Sequence, residues 1–237
     1  MPVNTDKLAP LTILALDTCT ESCSVALRHH GRIYAQQADA PREHSQRLLP
    51  MVDAVLTEAQ LSLSEVALIA YGRGPGSFTG IRICTSMTQG LALGQDLPVV
   101  GISTLQAMAQ SAMDEQGAQQ VVAAIDARMG EVYWGEFVCE AGIATLVGRE
   151  RVCAPDAVSR DLNYHCEVVA CGTGFDAYPE LVIDGMTISS LAKFPEAKYM
   201  LTLAALAHSK GLSTDVDGLA PVYLRDTVTW KKLPGRE

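Results

Sequence analysis

The chain has 237 residues, 48% of them hydrophobic and 19% charged, with a formal net charge of −9. Such a composition describes a globular protein with a real core in one large or two small domains, and it excludes a disordered chain. A surface this acidic also argues against a dedicated nucleic-acid binder, which needs basic residues to neutralise phosphate.

Residues 11–16 (LTILAL) form an apolar strand that ends on Asp17. Residues 22–28 and 32–38 extend it into a three-strand antiparallel meander, turned at Gly31. The His29–His30 pair beside that turn has no third ligand nearby and reads as loop histidines. A helix follows over 41–60, in which Leu48, Leu49, Met51, Val52, Val55, Leu56 and Ala59 span an arc of roughly 160°, whereas one buried face needs only ~100°. Pro50 should remove one backbone hydrogen bond and bend the first turns.

Next come an apolar strand over 66–71, a turn at Gly74-Pro75-Gly76-Ser77, and a helix over 78–94. Glycines and a capping serine at a helix start can aim N–H groups and the positive helix end at an anion. Between Phe78 and Gly94 the only charge is Arg82. Ser86, Gly90 and Gly94 lie beside Ile83, Met87 and Leu91, with Ile81, Thr85, Thr88 and Ala92 opposite. A helix apolar or small all round is buried all round. The i, i+4 spacing of Ser86, Gly90 and Gly94 clears a groove that another helix can approach closely. A central helix of its own domain and a helix half covered by a second protein both fit. The surplus apolar arc of the preceding helix tips the reading toward the second.

A strand over 97–102 and a helix capped by Ser103 complete a first lobe, bounded at 1–105. The second lobe, 106–237, leaves its C-terminal segment free to pack back on the first. Residues 121–126 then repeat the opening pattern: an apolar strand, a terminal acid (Asp126), a turn and another strand over 131–134. Two lobes that begin alike suggest an internal duplication. Strands near 142–153 and 167–171, a short helix from Pro155 and an amphipathic helix over 196–209 follow. The tail carries Lys231, Lys232 and Arg236, by default a solvated end. Seven scattered cysteines, with no second pair to complete a zinc site, point to a reduced, cytoplasmic protein. The amino-terminal MPVNTDKLAPL has no basic start followed by an apolar stretch, so no secretory signal is expected, and no run approaches the ~18 apolar residues that would span a bilayer.

Two acidic strand-ends in duplicated lobes, with a glycine-rich turn, resemble the actin/sugar-kinase/Hsp70 superfamily. The segments ILALDTCTESCSVAL, EHSQRLLPMV, YGRGPGSFTGIRICTSMTQGLA, IDARMGEVYW and APVYLR resemble the TsaB (YeaZ) family, non-catalytic paralogues of TsaD in bacterial tRNA threonylcarbamoyladenosine synthesis. GPGSFTGIR, followed by the apolar helix, is the specific block. The resemblance implies a two-lobed α/β fold of the actin-like, ribonuclease H-like type, built from duplicated mixed sheets. It implies a scaffold that activates a TsaD-like catalytic subunit, with a TsaE-like ATPase, and that pairs with itself when alone. It also implies contact with tRNA only through the complex and none with a membrane. The expected interface is Leu48, Leu49, Val52, Val55 and Leu56 of the first helix with Ile83, Ser86, Met87, Gly90, Leu91 and Gly94 of the second.

The catalytic paralogue carries two metal-binding histidines four apart at a helix start. The matching places here are Thr104 and Met108, poor ligands for a borderline divalent ion. No catalytic residue and no metal ligand is therefore expected, and the old glycoprotease label finds neither metal nor nucleophile. No resident cofactor is expected either. Weak nucleotide binding at Asp17, Gly74, Gly76, Ser77 and Asp126 stays open, although the turn after Asp17 has no glycine to admit a phosphate. Each carboxylate either caps its own turn or helps hold Mg²⁺ through water. A small-molecule kinase or ATPase using both lobes is the alternative function, and a metalloprotease is the last.

Overall fold

The described residues build ten strands and five α-helices: β1 (Ile13–Asp17), β2 (Ser22–His29), β3 (Arg32–Asp39), α1 (His44–Ala59), β4 (Leu68–Gly72), α2 (Phe78–Gln95), β5 (Val99–Ile102), α3 (Thr104–Gln116), β6 (Gln120–Asp126), β7 (Val132–Glu140), β8 (Ile143–Cys153), β9 (Val168–Cys171), α4 (Gly174–Ala177), β10 (Met186–Ile188) and α5 (Ala197–Ser209). The structure, a computed structural model, describes residues 11–158 and 160–225. Lys231, Lys232 and Arg236 lie outside the described residues.

Two five-stranded sheets form, ordered β3-β2-β1-β4-β5 and β10-β9-β6-β7-β8. Read from its own first strand, each sheet pairs antiparallel with the next hairpin strand and parallel with the strand that follows. The second sheet therefore repeats the first, with β6 in the place of β1, and the acids at their ends, Asp17 and Asp126, are structural equivalents. This is the two-lobed, actin-like α/β arrangement.

Strands β1 and β6 are apolar at consecutive positions because both of their faces are covered, as in the parallel part of a layered sheet. Leu14 and Leu16 face the core with α1 and α2, while Ile13 and Ala15 face the core with α5. Likewise Val121, Ala123 and Ile125 face α3, and Val122 and Ala124 face the opposite core with Trp134 and Phe175.

The helices do not divide between lobes as the chain order suggests. Helix α3, expected to complete the first lobe, packs Leu105, Met108, Ala109, Ala112 and Met113 on the second sheet. Helix α5 lays Met200, Leu201, Leu203 and Ala204 on the first sheet. The chain thus crosses between lobes twice. Strand β10 was not legible beforehand, being a three-residue edge strand with two exposed positions.

One acid inside the second lobe is structural. Glu136 on β7 is 1% exposed. Its Oε1 accepts from Trp134 Nε1 (3.2 Å) and Tyr164 OH (2.7 Å), and its Oε2 accepts from the backbone N–H groups of Asp161 (2.6 Å) and Leu162 (2.9 Å). Substitution by leucine would leave four donors without this acceptor, two of them, Trp134 Nε1 and the Leu162 N–H, buried. Glu136→Leu is expected to lower unfolding stability by roughly 3–5 kcal/mol, measured by urea denaturation. A change below about 1 kcal/mol would mean that those donors find other partners.

Candidate functional site

The start of α2 is built around the turn that follows β1. Ser77 caps the helix, its Oγ accepting from the Gly80 N–H at 3.3 Å. The Ser77 N–H donates to Cys19 O at 2.7 Å, and Thr18 Oγ1 donates to Gly80 O at 2.8 Å. This contact is backbone against backbone: a Cβ at Gly76 would lie 2.1 Å from Cys19 O, and one at Gly80 2.1 Å from Thr18 O. Gly74 O accepts from the Thr104 N–H at 3.1 Å. Gly76, Gly80 and the Ser77 amide are therefore engaged by the chain's own turn at 17–20, while Gly74 lies against Val222 and Ile81 and the Ser77 hydroxyl is taken by Gly80. The turn comes from some sixty positions upstream, which is why local sequence did not reveal it.

Both strand-end acids cap their own turns. Asp17 Oδ1 accepts from the Cys19 N–H at 3.0 Å, and Asp126 Oδ1 from the Arg128 N–H at 2.8 Å. Beyond that they differ. Asp126 Oδ2 pairs with Arg128 Nη1 at 2.7 Å, whereas Asp17 is wholly buried and its Oδ2 has no partner. That oxygen sits against Gly72, where a Cβ would come within 1.9 Å of it. Desolvation raises the Asp17 carboxyl from 3.8 to about 6, against the opposing hydrogen bond from Cys19.

A carboxyl raised in the native state favours folding when protonated. Its contribution is fully present below pH 3.8 and is lost as pH rises through about 6. Asp17→Asn keeps the acceptor for Cys19 and removes the buried charge. It is expected to match the parent near pH 4 and to exceed it by roughly 3 kcal/mol above pH 7, measured by denaturation across that range. A constant difference at all pH values would contradict a buried, titrating Asp17.

Thr104 and Met108 are both wholly buried on α3. Among the described residues no three His, Cys, Asp or Glu side chains gather as metal ligands would. No described helix is long and apolar enough to cross a membrane.

A cleft of about 740 Å³ opens between the lobes, lined by residues that include Glu21, Arg42, Phe78, Asp126, Arg128, Tyr133, Tyr223 and Arg225. Arg128 joins its two sides, with Nη2 3.0 Å from Glu21 Oε1 and Nη1 on Asp126. Arg225 pairs with Glu131 and donates to Arg128 O at 3.2 Å. Sequence reasoning singled out neither Glu21–Arg128 nor Arg225–Glu131, because the members of each pair stand about a hundred positions apart.

The outer surface of α2 is the other feature. Gly80, Ile81, Cys84, Thr88 and Ala92 are buried against the first sheet. Ile83, Met87 and Leu91 are half-buried along the flank. Arg82, Ser86, Gln89, Gly90, Leu93 and Gly94 are exposed, so the helix is covered on one face and not all round as its composition suggested. A Cβ at Gly90 or Gly94 would meet nothing within 4 Å. Leu93 at 72% and Phe78 at 57% are the most exposed large apolar side chains on this helix, and neither was singled out in the sequence.

The first helix differs from expectation. Leu48, Val52, Val55 and Leu56 are 0–8% exposed inside the first-lobe core, so they present no surface to a partner. Their wide arc arises because α1 is wedged between the sheet, α2 and the segment carrying Leu61 and Leu63. Only Leu49, at 42%, remains outward. The helix runs unbroken through Pro50.

Comparison with known proteins places these features in a family. The family described as "TsaD: tRNA N6-adenosine threonylcarbamoyltransferase" matches residues 32–233. The Escherichia coli (strain K12) protein named "tRNA threonylcarbamoyladenosine biosynthesis protein TsaB" is 48% identical over 231 residues, covering 96% of this chain and all of that protein. A protein of the same name from Haemophilus influenzae is 44% identical, over 96% of this chain and 99% of its own length. The solved structure "YeaZ from Pseudomonas aeruginosa" superimposes with a TM-score of 0.86 at 44% identity, over 90% of this chain and all of that one.

Proposed function

The chain belongs to the TsaB (YeaZ) family of tRNA threonylcarbamoyladenosine biosynthesis proteins, and from that premise we propose that it serves the pathway as a non-catalytic partner of a TsaD-type transferase. The observation that carries the reading is the outer face of α2. It offers a groove at Ser86, Gly90 and Gly94 flanked by Ile83, Met87, Leu91 and the exposed Leu93. A helix of a related subunit can lie in that groove at close range. A standard interface buries ~1,200–2,000 Å² in total, with the exposed face of α2 at its centre and only Leu49 of α1 placed to add to it.

Three features support a partner over a catalyst. Thr104 and Met108 are buried where the catalytic paralogue is expected to present ligands. The turn at 17–20 occupies the helix start that would otherwise face a phosphate. Asp17 and Asp126 are engaged by their own turns. Docking would act by favouring the competent arrangement of the transferase, with a TsaE-like ATPase completing the assembly and tRNA met through the complex. When the chain is alone, the same face is free to pair with a second copy. Sedimentation of the purified chain mixed with a TsaD-type subunit tests this directly: a one-to-one complex is expected, and two unshifted species would contradict it.

The cleft is large enough for a nucleotide-sized molecule, which supports weak nucleotide binding as a second reading. Titration calorimetry with ATP and Mg²⁺ decides it, and sustained hydrolysis by the chain alone would favour a kinase or ATPase instead.

A further inference from the structure

We propose that the turn at residues 128–131 clamps the first turn of α2 through two separate arms, so that cleft opening and the order of the docking helix form one equilibrium. The first arm runs from Arg128 to Glu21 at 3.0 Å, and through the turn at 17–20 into Ser77 and Gly80. It has little slack, because Thr18 O lies against Gly80 of α2 and Cys19 O against Gly76 just before it, where glycines alone fit. Moving Glu21 with the second lobe therefore moves the helix start.

The second arm runs from Glu131 and the Arg128 carbonyl to Arg225, and from there along the chain to Tyr223. The Tyr223 ring lies 5.5 Å from that of Phe78, the first residue of α2. This returning segment is anchored to the first lobe as well: the Val222 N–H donates to Arg73 O at 2.7 Å, and the Ala220 N–H to Tyr71 OH at 2.9 Å. Both arms leave one second-lobe turn and converge on one helical turn, lining the same cleft between them.

The anchoring turn is itself held in an unfavourable conformation. Arg128 and Met129 are left-handed, with φ of 61° and 59°, followed by Gly130 at 79°. Non-glycine residues hold such angles only where surrounding contacts impose them, and here Arg225 bonds the Arg128 carbonyl. The Arg128–Glu21 pair is well exposed, at 72% and 43%, so it holds weakly and can be released. An occupant of the cleft meets Arg128 and Arg225 and competes with Glu21 and Glu131 for them. The clamp stands on these contacts alone; its consequence for association rests on the partner role proposed above.

Hydrogen exchange on the full chain tests it, comparing the parent with Arg128→Gln, Tyr223→Ala and the double variant. Each single variant is expected to speed exchange at residues 17–22 and 76–82 about two- to five-fold, the scale of one exposed contact. The double variant should exceed either, while β6 and β9 stay unchanged. Unaltered exchange at 76–82 in the double variant would overturn the clamp. The same variants are then titrated against a TsaD-type subunit. A parallel loss of affinity supports the coupling, whereas faster exchange with parental affinity supports the clamp and contradicts docking through α2.

Discussion

Gly90→Arg is expected to abolish association with the transferase, weakening it roughly 100-fold or more, while leaving the folded monomer slightly more stable than the parent. The two effects have separate origins. Gly90 is exposed on α2 and a side chain there meets nothing within 4 Å in the isolated chain. Replacing a mid-helix glycine by arginine removes a propensity penalty of about 0.5–1 kcal/mol. In the complex, the same side chain would stand where a partner helix must approach closely, and its charge would be forced out of water against apolar flanks. A surface of no consequence would show the stability gain without the loss of binding. Calorimetric titration and thermal unfolding of the same preparation measure both signs at once.

Gly80→Ala should do the reverse on the same helix. Propensity alone favours alanine by about 1 kcal/mol at either glycine. At Gly80, however, the added methyl would sit 2.1 Å from Thr18 O and 3.2 Å from Thr18 C, which are backbone atoms that no rotamer change can move. Helix and turn must separate, stretching the Thr18 Oγ1–Gly80 O bond and the Ser77 N–Cys19 O bond. A loss of roughly 3 kcal/mol or more is expected, with Gly90→Ala as the stabilised control. If Gly80→Ala unfolded at or above the parental denaturant midpoint, the turn at 17–20 would not be seated on the helix as described. The contrast matters for function, because the seated turn occupies the place where an anion would otherwise meet the start of α2.

Much of this was legible in the chain. Consecutive apolar residues ending on Asp17 and Asp126 identified two equivalent central strands, and the sheets repeat one order around them. The small residues Ser86, Gly90 and Gly94 lie together on the exposed side of α2, since side-chain bulk is a local property that survives into the fold. What escaped the sequence was set by partners distant along the chain. The wide apolar arc of α1 looked like surplus surface, yet Leu48, Val52, Val55 and Leu56 are enclosed between sheet and neighbouring helix. Periodicity counts buried directions without naming what buries them. Nothing local tells α3 and α5 which sheet they will cover, because either apolar face suits either sheet. Glu136 was open to notice, as a lone acid in the run VYWGEFV, but its four donors lie partly in a segment some twenty-five residues on.

Asp17 shows how a structural cost and a functional question meet. Its carboxyl is fully enclosed, one oxygen lacks a partner, and burial raises it to about 6. An asparagine would serve the turn at lower cost near neutral pH, so the pH comparison isolates the burial of that charge from the capping of the Cys19 amide. The proposed docking face lies elsewhere, on the exposed side of α2, and its variants should be indifferent to the same pH range.

The most direct test is threonylcarbamoylation of tRNA in a reconstituted mixture of a TsaD-type transferase and a TsaE-like ATPase. Transfer is assayed without this chain, with it, and with Gly90→Arg. The predicted result is transfer only with the parent chain, and none from the chain when the transferase is left out. Parental transfer supported by Gly90→Arg, or transfer by the chain alone, would contradict a partner that works through the open face of α2.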